Sequence, residues 1–226
     1  MSKEKLMKII PKYRLFEYLL KSINKNLDKR KKLKIIDVGC GKKPYEKEIK
    51  SVLHKKAEEI EYIGIDLYTK ESDLKIDLNT ENLPFKKGSI DIIICTEVLE
   101  HLYNPFHILA EIKRILKNEG LLLITSPFLH PIHEKKHDYF RYTHHFYRNQ
   151  FKNQFILEEV ISNTAFSFLL YVIQYYISIP LNYIFKTKNK FIGLLQLPLD
   201  KLNLILFEKR FITYSLYVNI GYLIKF

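Results

Sequence analysis

The sequence predicts an open α/β fold on a doubly wound parallel sheet, and three observations predict it. Short apolar, β-branched runs alternate with stretches of helical spacing, making five strand-helix units in succession between Leu33 and Ser126. A run such as SIDIIICTE is apolar throughout, as strands buried on both faces are. Glycines and acids gather where the runs end, the edge at which such sheets bind ligands.

Taken in order, Leu6, Ile9, Ile10, Tyr13, Phe16, Leu19, Leu20 and Ile23 recur at helical spacing, broken by Pro11, and predict two N-terminal helical pieces. LKIIDVGCG is a first strand ending in glycines, followed by a helix through Lys56. EYIGIDL is the second strand, LKIDLN a short third and SIDIIICTE the fourth. Pro105 suits a first helical turn, FHILAEIKRIL continues it, Gly120 ends it, and LLLITS is the fifth strand. After the loop PFLHPIHEKKHDYFRYT come a helix over Thr143 to Asn153 and a strand near FILEEVIS. An apolar, aromatic stretch then runs from Ala165 to Phe207, interrupted by Lys186, Lys188 and Lys190, and ITYSLYVNIGYLIKF alternates as a final strand. The expected organisation is an N-terminal helical segment (1–33), a ligand-binding core (34–162), an apolar helical insertion (163–210) and a last strand completing the core sheet (211–226).

With 226 residues, 47% hydrophobic and 27% charged, the chain is a folded protein of about one domain, neither disordered nor fibrous. Its net charge of +12 suits an anionic partner or simply a solvated basic surface. Cys40 and Cys95 are too few and too strand-bound for a disulfide framework, and the N-terminus has no signal-like apolar region, so a reducing cytoplasmic setting is expected.

Asp37, Gly39 and Gly41 fall at the end of the first strand. A dinucleotide fingerprint would need a third small residue where Pro44 stands, which disfavours a nicotinamide or flavin nucleotide. Asp66 ends the second strand, like the acid that binds ribose hydroxyls in nucleoside-binding folds, and Asp77 follows at the same edge, although either acid can equally be a turn residue.

On IIDVGCGKKPY, YIGIDL, DLNTENLPFKKGSIDIIICTEVLEHL and EIKRILKNEGLLLITSPF the chain resembles the class I S-adenosylmethionine-dependent methyltransferases of type 11, over Lys34 to Phe128 and again at the last strand. The resemblance implies a Rossmann-like, seven-stranded sheet with its last strand antiparallel, and S-adenosylmethionine as cofactor. It implies that Asp37, Gly39 and Gly41, with Cys40 between them, hold the methionine part. Asp66 and Leu67 would hold the ribose, Asp77 and Leu78 the adenine, and Glu97 would lie near the sulfonium. His101 matches the family's Glu-His pair and would join the cofactor site, or else is a helix-end histidine packed under the sheet.

Methyl transfer from a sulfonium needs mainly alignment, and a base only where the acceptor is a hydroxyl. The loop after the fifth strand carries His130, His133, Glu134, His137, Asp138, Tyr139, Arg141 and Tyr142. Its HE...HDYFRYT pattern resembles the corresponding segment of methyltransferases associated with surface-polysaccharide biosynthesis. His137 or His133 is read as the base and Arg141 as an anion or cofactor contact, with Asp138 and Tyr139 beside them. A metal site on His130, His133 and His137 lacks a supporting ligand pattern, so no metal is expected. The competing structural reading makes Asp138 and Arg141 a loop-fixing ion pair. TEVLEH stands where amino-group methyltransferases of adenine or protein glutamine carry an Asn/Asp-Pro-Pro-aromatic segment, which disfavours that chemistry.

The expected reaction is therefore O-methylation of a sugar or lipid-linked glycan, against a small-molecule or lipid acceptor or a catalytically silent scaffold. No RNA-binding module is recognisable, so nucleic acid is disfavoured. The stretch 165–207 suits a pocket cap, a homodimer contact or a helical pair lying on the inner face of a membrane; Gln174, Pro180 and Asn182 argue against a simple span.

Overall fold

The computed structural model describes residues 8–10, 12–27, 32–53, 59–130, 132–133, 136–164 and 217–226. Its strands are β1 (Lys8–Ile10), β2 (Leu33–Val38), β3 (Ile60–Ile65), β4 (Ile90–Thr96), β5 (Leu116–Pro127), β6 (Phe155–Thr164) and β7 (Tyr217–Lys225). Its helices are α1 (Lys12–Asn26), α2 (Glu46–Val52), α3 (Pro105–Ile115) and α4 (His144–Gln150). One sheet runs in the order β1-β6-β7-β5-β4-β2-β3. All pairings are parallel except those of β7, which is antiparallel to both β5 and β6.

Alternation within each strand sorts the core into two layers, because successive side chains leave opposite faces of a strand. Ile35, Ile92, Ile94, Leu121, Leu123 and Leu223 pack under Leu15, Leu19, Leu20 and Ile23 of α1. Their neighbours Ile36, Ile93, Leu122, Ile124 and Ile224 pack on the other face with Ile108, Leu109, Ile112 and Ile115 of α3. Both faces of the central strands are thus covered, and the open positions are at the strand ends.

Six of the seven strands are those the sequence predicts; the other differs. The expected strand at LKIDLN is reduced to a single bridge between Ile65 and Leu74. Side chains compete for the bonds a strand would make: Asp73, just before the segment, accepts from the Gly64 amide of β3 at 2.7 Å, and Asp77 turns the chain onto Asn79. In its place Lys8–Ile10, read as helical, lies parallel to Val160, Ile161 and Ser162 at the opposite edge. Pro11 lacks an amide hydrogen and separates this strand from α1. Gly120, expected to end the helix, lies inside β5, after a register shift between Ile90 and Ile92. The helix expected through Lys56 ends at Val52, and that over Thr143 to Asn153 spans His144–Gln150. Thr143 is its N-cap, accepting from the Phe146 amide. The apolar stretch 165–207 and the bulk of the predicted insertion lie outside the described residues. No helix among the described residues is long and apolar enough to cross a membrane.

Candidate active site

The carboxyl ends of β2, β3, β4 and β5 bring the predicted residues to one edge of the sheet. The loop after β2 turns there because Gly39 and Gly41 take φ values of +69° and +50°. At Gly39 a Cβ would lie 2.4 Å from Val98 Cγ2. The amides of Gly39 and of buried Cys40 donate to the Ile65 carbonyl at 2.8 and 3.0 Å. The Gly41 amide donates to Asp66 Oδ2 at 3.0 Å, and those of Tyr68 and Thr69 donate to Oδ1 at 2.8 and 3.1 Å. One carboxylate thereby fixes the loops after β2 and β3 against each other, with Leu67 exposed beside it.

Asp37 is 1% exposed. Tyr62 donates its hydroxyl hydrogen to Oδ2, while Oδ1 is buried without a hydrogen-bond partner. Burial pushes the Asp37 carboxyl up to about 7, and the Tyr62 bond opposes that rise. A buried acceptor left unpaired carries a desolvation penalty. A cationic ligand group such as an α-ammonium would relieve it, which is the chemistry that the methionine part of S-adenosylmethionine brings.

Asp77 accepts from the Asn79 amide, the Asn79 side chain and the Thr80 hydroxyl at 2.9, 3.1 and 3.2 Å. These bonds, the Asn79 amide foremost, hold its carboxyl below the ordinary range. Its carboxylate therefore does the work of a turn residue, and Leu78 is buried in the core behind it.

Glu97 follows β4 with φ +54°, a conformation uncommon for a side-chain-bearing residue. Its Oε1 accepts from the Thr125 hydroxyl at 2.8 Å and its Oε2 from the Asn219 amide group at 2.7 Å. Strands β5 and β7 therefore hold this carboxylate in position. Glu100, in the 3-10 turn Leu99–His101, is fully buried, and neither carboxylate oxygen has a hydrogen-bond partner. Burial, and next the nearby Glu97 charge, raise its pKa above the ordinary carboxylate range.

The loop after β5 folds back onto this turn. The Tyr139 amide donates to the Glu100 carbonyl at 2.7 Å, the Tyr142 hydroxyl to the Leu99 carbonyl at 2.9 Å, and His101 Nδ1 bonds the His137 carbonyl at 2.7 Å. His133 sits edge-on to both His101 and His130, with ring centroids 4.8 and 4.7 Å apart. Its Nδ1 is 3.3 Å from Asp138 Oδ2. Arg141 forks onto Asp138, with Nη1 on Oδ1 and Nη2 on Oδ2, and also donates to the carbonyls of Phe140 and His130. The guanidinium holds the Asp138 carboxyl well below the usual carboxylate range. This is the loop-fixing ion pair of the structural reading. His137 is exposed, with Nδ1 3.4 Å from the Tyr139 hydroxyl and its ring 6.3 Å from that of Tyr68. Glu134 lies outside the described residues.

Sequence reasoning did not single out Tyr62, Thr125, Asn219 or Glu100. Asn219 was detectable as a lone amide in an apolar last strand, and Glu100 as the second acid of EVLEHL. Tyr62 and Thr125 look like ordinary strand residues, and only the pairing of β2, β3, β4 and β5 reveals what they reach. Among the described residues, the imidazole and carboxylate groups close enough together to share a metal are those of Glu100, His101 and His133, not His130, His133 and His137.

The chain has counterparts among known proteins. A methyltransferase-domain family model matches residues 12–161. The chain is 33% identical over 107 residues to the uncharacterized protein MJ0638 of Methanocaldococcus jannaschii, covering 44% of this chain and 43% of that protein. It is 29% identical over 123 residues to the mitochondrial ubiquinone biosynthesis O-methyltransferase of Saccharomyces cerevisiae, covering 46% and 37%. The match thus spans less than half the length of each of these relatives. Among solved structures, the phosphoethanolamine N-methyltransferase 2 of Haemonchus contortus, in complex with phosphomonomethylethanolamine and S-adenosylhomocysteine, shares the fold at TM-score 0.54 and 14% identity, covering 93% of this chain and 52% of that one. A glycine loop cradled by Val98, an acid ending each of the first two core strands, an antiparallel last strand and a family match over 12–161 lead to one assignment: the chain belongs to the class I S-adenosylmethionine-dependent methyltransferases.

Proposed function

We propose that this methyltransferase transfers its methyl group to a hydroxyl of a sugar, free or in a lipid-linked glycan. The observation that carries the reading is a run of exposed rings at the mouth of the site. Tyr68, His137, Tyr139 and Tyr103 follow one another with centroids 6.3, 6.4 and 6.3 Å apart. Sugar rings offer flat C–H faces that settle on aromatic surfaces, while their hydroxyls reach polar groups between the rings.

On this reading Asp37, Gly39, Cys40 and Gly41 bind the methionine end of the cofactor, Asp66 and Leu67 the ribose, and Asp77 and Leu78 the adenine. Glu97 and His101 border the reacting centre. When bound, the cofactor supplies a methyl group on a sulfonium, which leaves as the sulfur becomes a thioether. His137 takes the acceptor hydroxyl's proton; it is exposed, whereas His133 is wedged between two imidazoles and Asp138. Asp138 and Arg141 hold the loop that presents His137 and Tyr139. The core 34–162 with the last strand 211–226 carries the chemistry, and the apolar, lysine-bearing stretch 165–207 brings it to the cytoplasmic face of a membrane, where lipid-linked saccharides are assembled.

A second reading takes a lipid-tailed phenol as acceptor. Several relatives are named ubiquinone biosynthesis O-methyltransferases, including that of Rickettsia canadensis, 27% identical over 116 residues. A panel of nucleotide sugars, lipid-linked saccharides and polyprenylated phenols, assayed by mass spectrometry for a methyl gain dependent on S-adenosylmethionine, separates the two. Methylation of the phenols alone would overturn the sugar reading. Absence of S-adenosylmethionine binding by the folded chain would favour a silent scaffold.

A further inference from the structure

We propose that Glu100, His101 and His133 form a binding site for one divalent cation of the zinc class. This goes beyond the methyltransferase reading, which gives no role to the buried Glu100 carboxylate.

The ligand atoms of the three side chains lie within 4.8 Å of one another. Donors placed tetrahedrally about 2.1 Å from a zinc ion are roughly 3.4 Å apart. Glu100 Oε1 and His101 Nε2 stand at 3.6 Å, close to that separation before any ion draws them together. The set of two imidazoles and one glutamate is one that zinc accepts while keeping a fourth position open.

Two independent features point to a ligand. Glu100 is fully buried and both of its carboxylate oxygens lack a hydrogen-bond partner. A buried polar group is retained in that state where something else completes it, and a cation bound by two adjacent imidazoles does so. The second feature is how the imidazoles are oriented. His101 Nδ1 bonds the His137 carbonyl at 2.7 Å; a carbonyl can only accept, so Nδ1 carries the hydrogen and Nε2 the lone pair. His133 Nδ1 is 3.3 Å from Asp138 Oδ2, a carboxylate that favours the ring hydrogen on Nδ1 and so turns Nε2 toward the ion. Asp138 is held in turn by Arg141. A metal-binding histidine characteristically gives its other ring N–H to a carbonyl or a carboxylate, and both partners are present.

The ion would leave one coordination position for water or an acceptor hydroxyl. Charge on the ion would favour the ionised acceptor, complementing a base at His137.

The test uses the full chain, treated with chelator and dialysed, and titrated with Co2+ while visible absorption is recorded. The expected result is one Co2+ per chain with the intense bands of a four-coordinate site, displaced by Zn2+, and an affinity at least tenfold weaker in Glu100→Gln and in His133→Ala. Partly exposed His133 is the variant least prone to misfold. Binding of S-adenosylhomocysteine is measured by calorimetry on the same samples. Absence of stoichiometric Co2+ binding, or unchanged binding in His133→Ala, overturns the metal site. If S-adenosylhomocysteine still binds, the methyltransferase reading survives that outcome; if it fails to bind, that reading falls independently of the metal result.

Discussion

Tyr62 of β3 donates its phenolic hydrogen to the buried carboxylate of Asp37 on the neighbouring strand β2. The bond reaches one oxygen and leaves the other, Oδ1, without a partner. A carboxyl so placed is poised between its protonated and charged forms, with its pKa pushed up to about 7 by burial. The ligand that reaches Oδ1 then decides which form prevails.

Binding of a cofactor with an α-ammonium should therefore be linked to pH. The ammonium favours the ionised carboxylate, so affinity should rise roughly tenfold per pH unit below 7 and level off above it. Near pH 7 binding should release about half a proton, detected by calorimetry in buffers of different ionisation enthalpy. Asp37→Asn should bind weakly with no such slope, and Tyr62→Phe should move the break to higher pH. A flat profile in the wild type would remove Asp37 from the ammonium contact.

The same shift has a consequence for the ligand-free chain. The folded carboxyl's pKa of about 7 lies above the ordinary 3.8, so the folded state binds more protons between those values. The stabilisation is present in full below the lower value and is lost as pH rises through about 7. Urea unfolding should find the wild type losing on the order of 2–3 kcal/mol between pH 5 and 8 relative to Asp37→Asn.

Gly39 and Gly41 both have positive φ, yet alanine should affect them differently. At Gly39 the added Cβ meets Val98 at 2.4 Å; at Gly41 nothing lies within 4 Å. Gly41→Ala should cost about 1–2 kcal/mol from the left-handed backbone alone, and Gly39→Ala roughly 2–4 kcal/mol, as the clash adds to it. Because the Gly41 Cβ would project into open space beside Asp66, its loss of cofactor affinity should exceed its loss of stability. Equal stabilities in denaturant titrations would contradict the close approach at Val98.

Asn219 illustrates why the last strand belongs to the site although it lies far along the chain. Its amide group holds Glu97 Oε2 while Thr125 holds Oε1. Asn219→Ala should destabilise the chain by about 1.5–3 kcal/mol, the range for a hydrogen bond to a charged group. It should also weaken cofactor binding while leaving the acceptor KM unchanged. An effect confined to the acceptor would assign Glu97 to the other substrate.

Much of the fold was legible because burial on both faces writes apolar runs such as IDIIICT directly into the sequence. The glycine loop and the acids at the strand ends followed from the same logic. What escaped detection was set by competition between local and distant partners. Ile9 and Ile10 fit a helix by spacing, but as β-branched residues they also fit the open edge of β6. LKIDLN has the pattern of a strand, but Asp73 takes the Gly64 amide of β3 and Asp77 turns the chain onto Asn79. Glu100 looks like half of a motif, and only the fold shows that it is buried with neither oxygen hydrogen-bonded.

Arg141 separates a holding role from a binding role. Its guanidinium forks onto Asp138, whose side chain is 1% exposed, and ties the loop through the His130 and Phe140 carbonyls. Removing the cation takes the guanidinium from a buried carboxylate and leaves it chiefly the His133 amide, so Arg141→Ala should cost about 3 kcal/mol. Arg141→Lys should recover only part of that, because an ammonium cannot fork onto both oxygens. Asp138→Ala combined with Arg141→Ala should be more stable than Arg141→Ala alone, since the stranded charge is gone. These stabilities are read from denaturant titrations, beside KM values for both substrates. An Arg141→Ala chain of wild-type stability but raised KM would instead make the guanidinium a ligand contact, and Asp138 would then have to be stabilised by other groups.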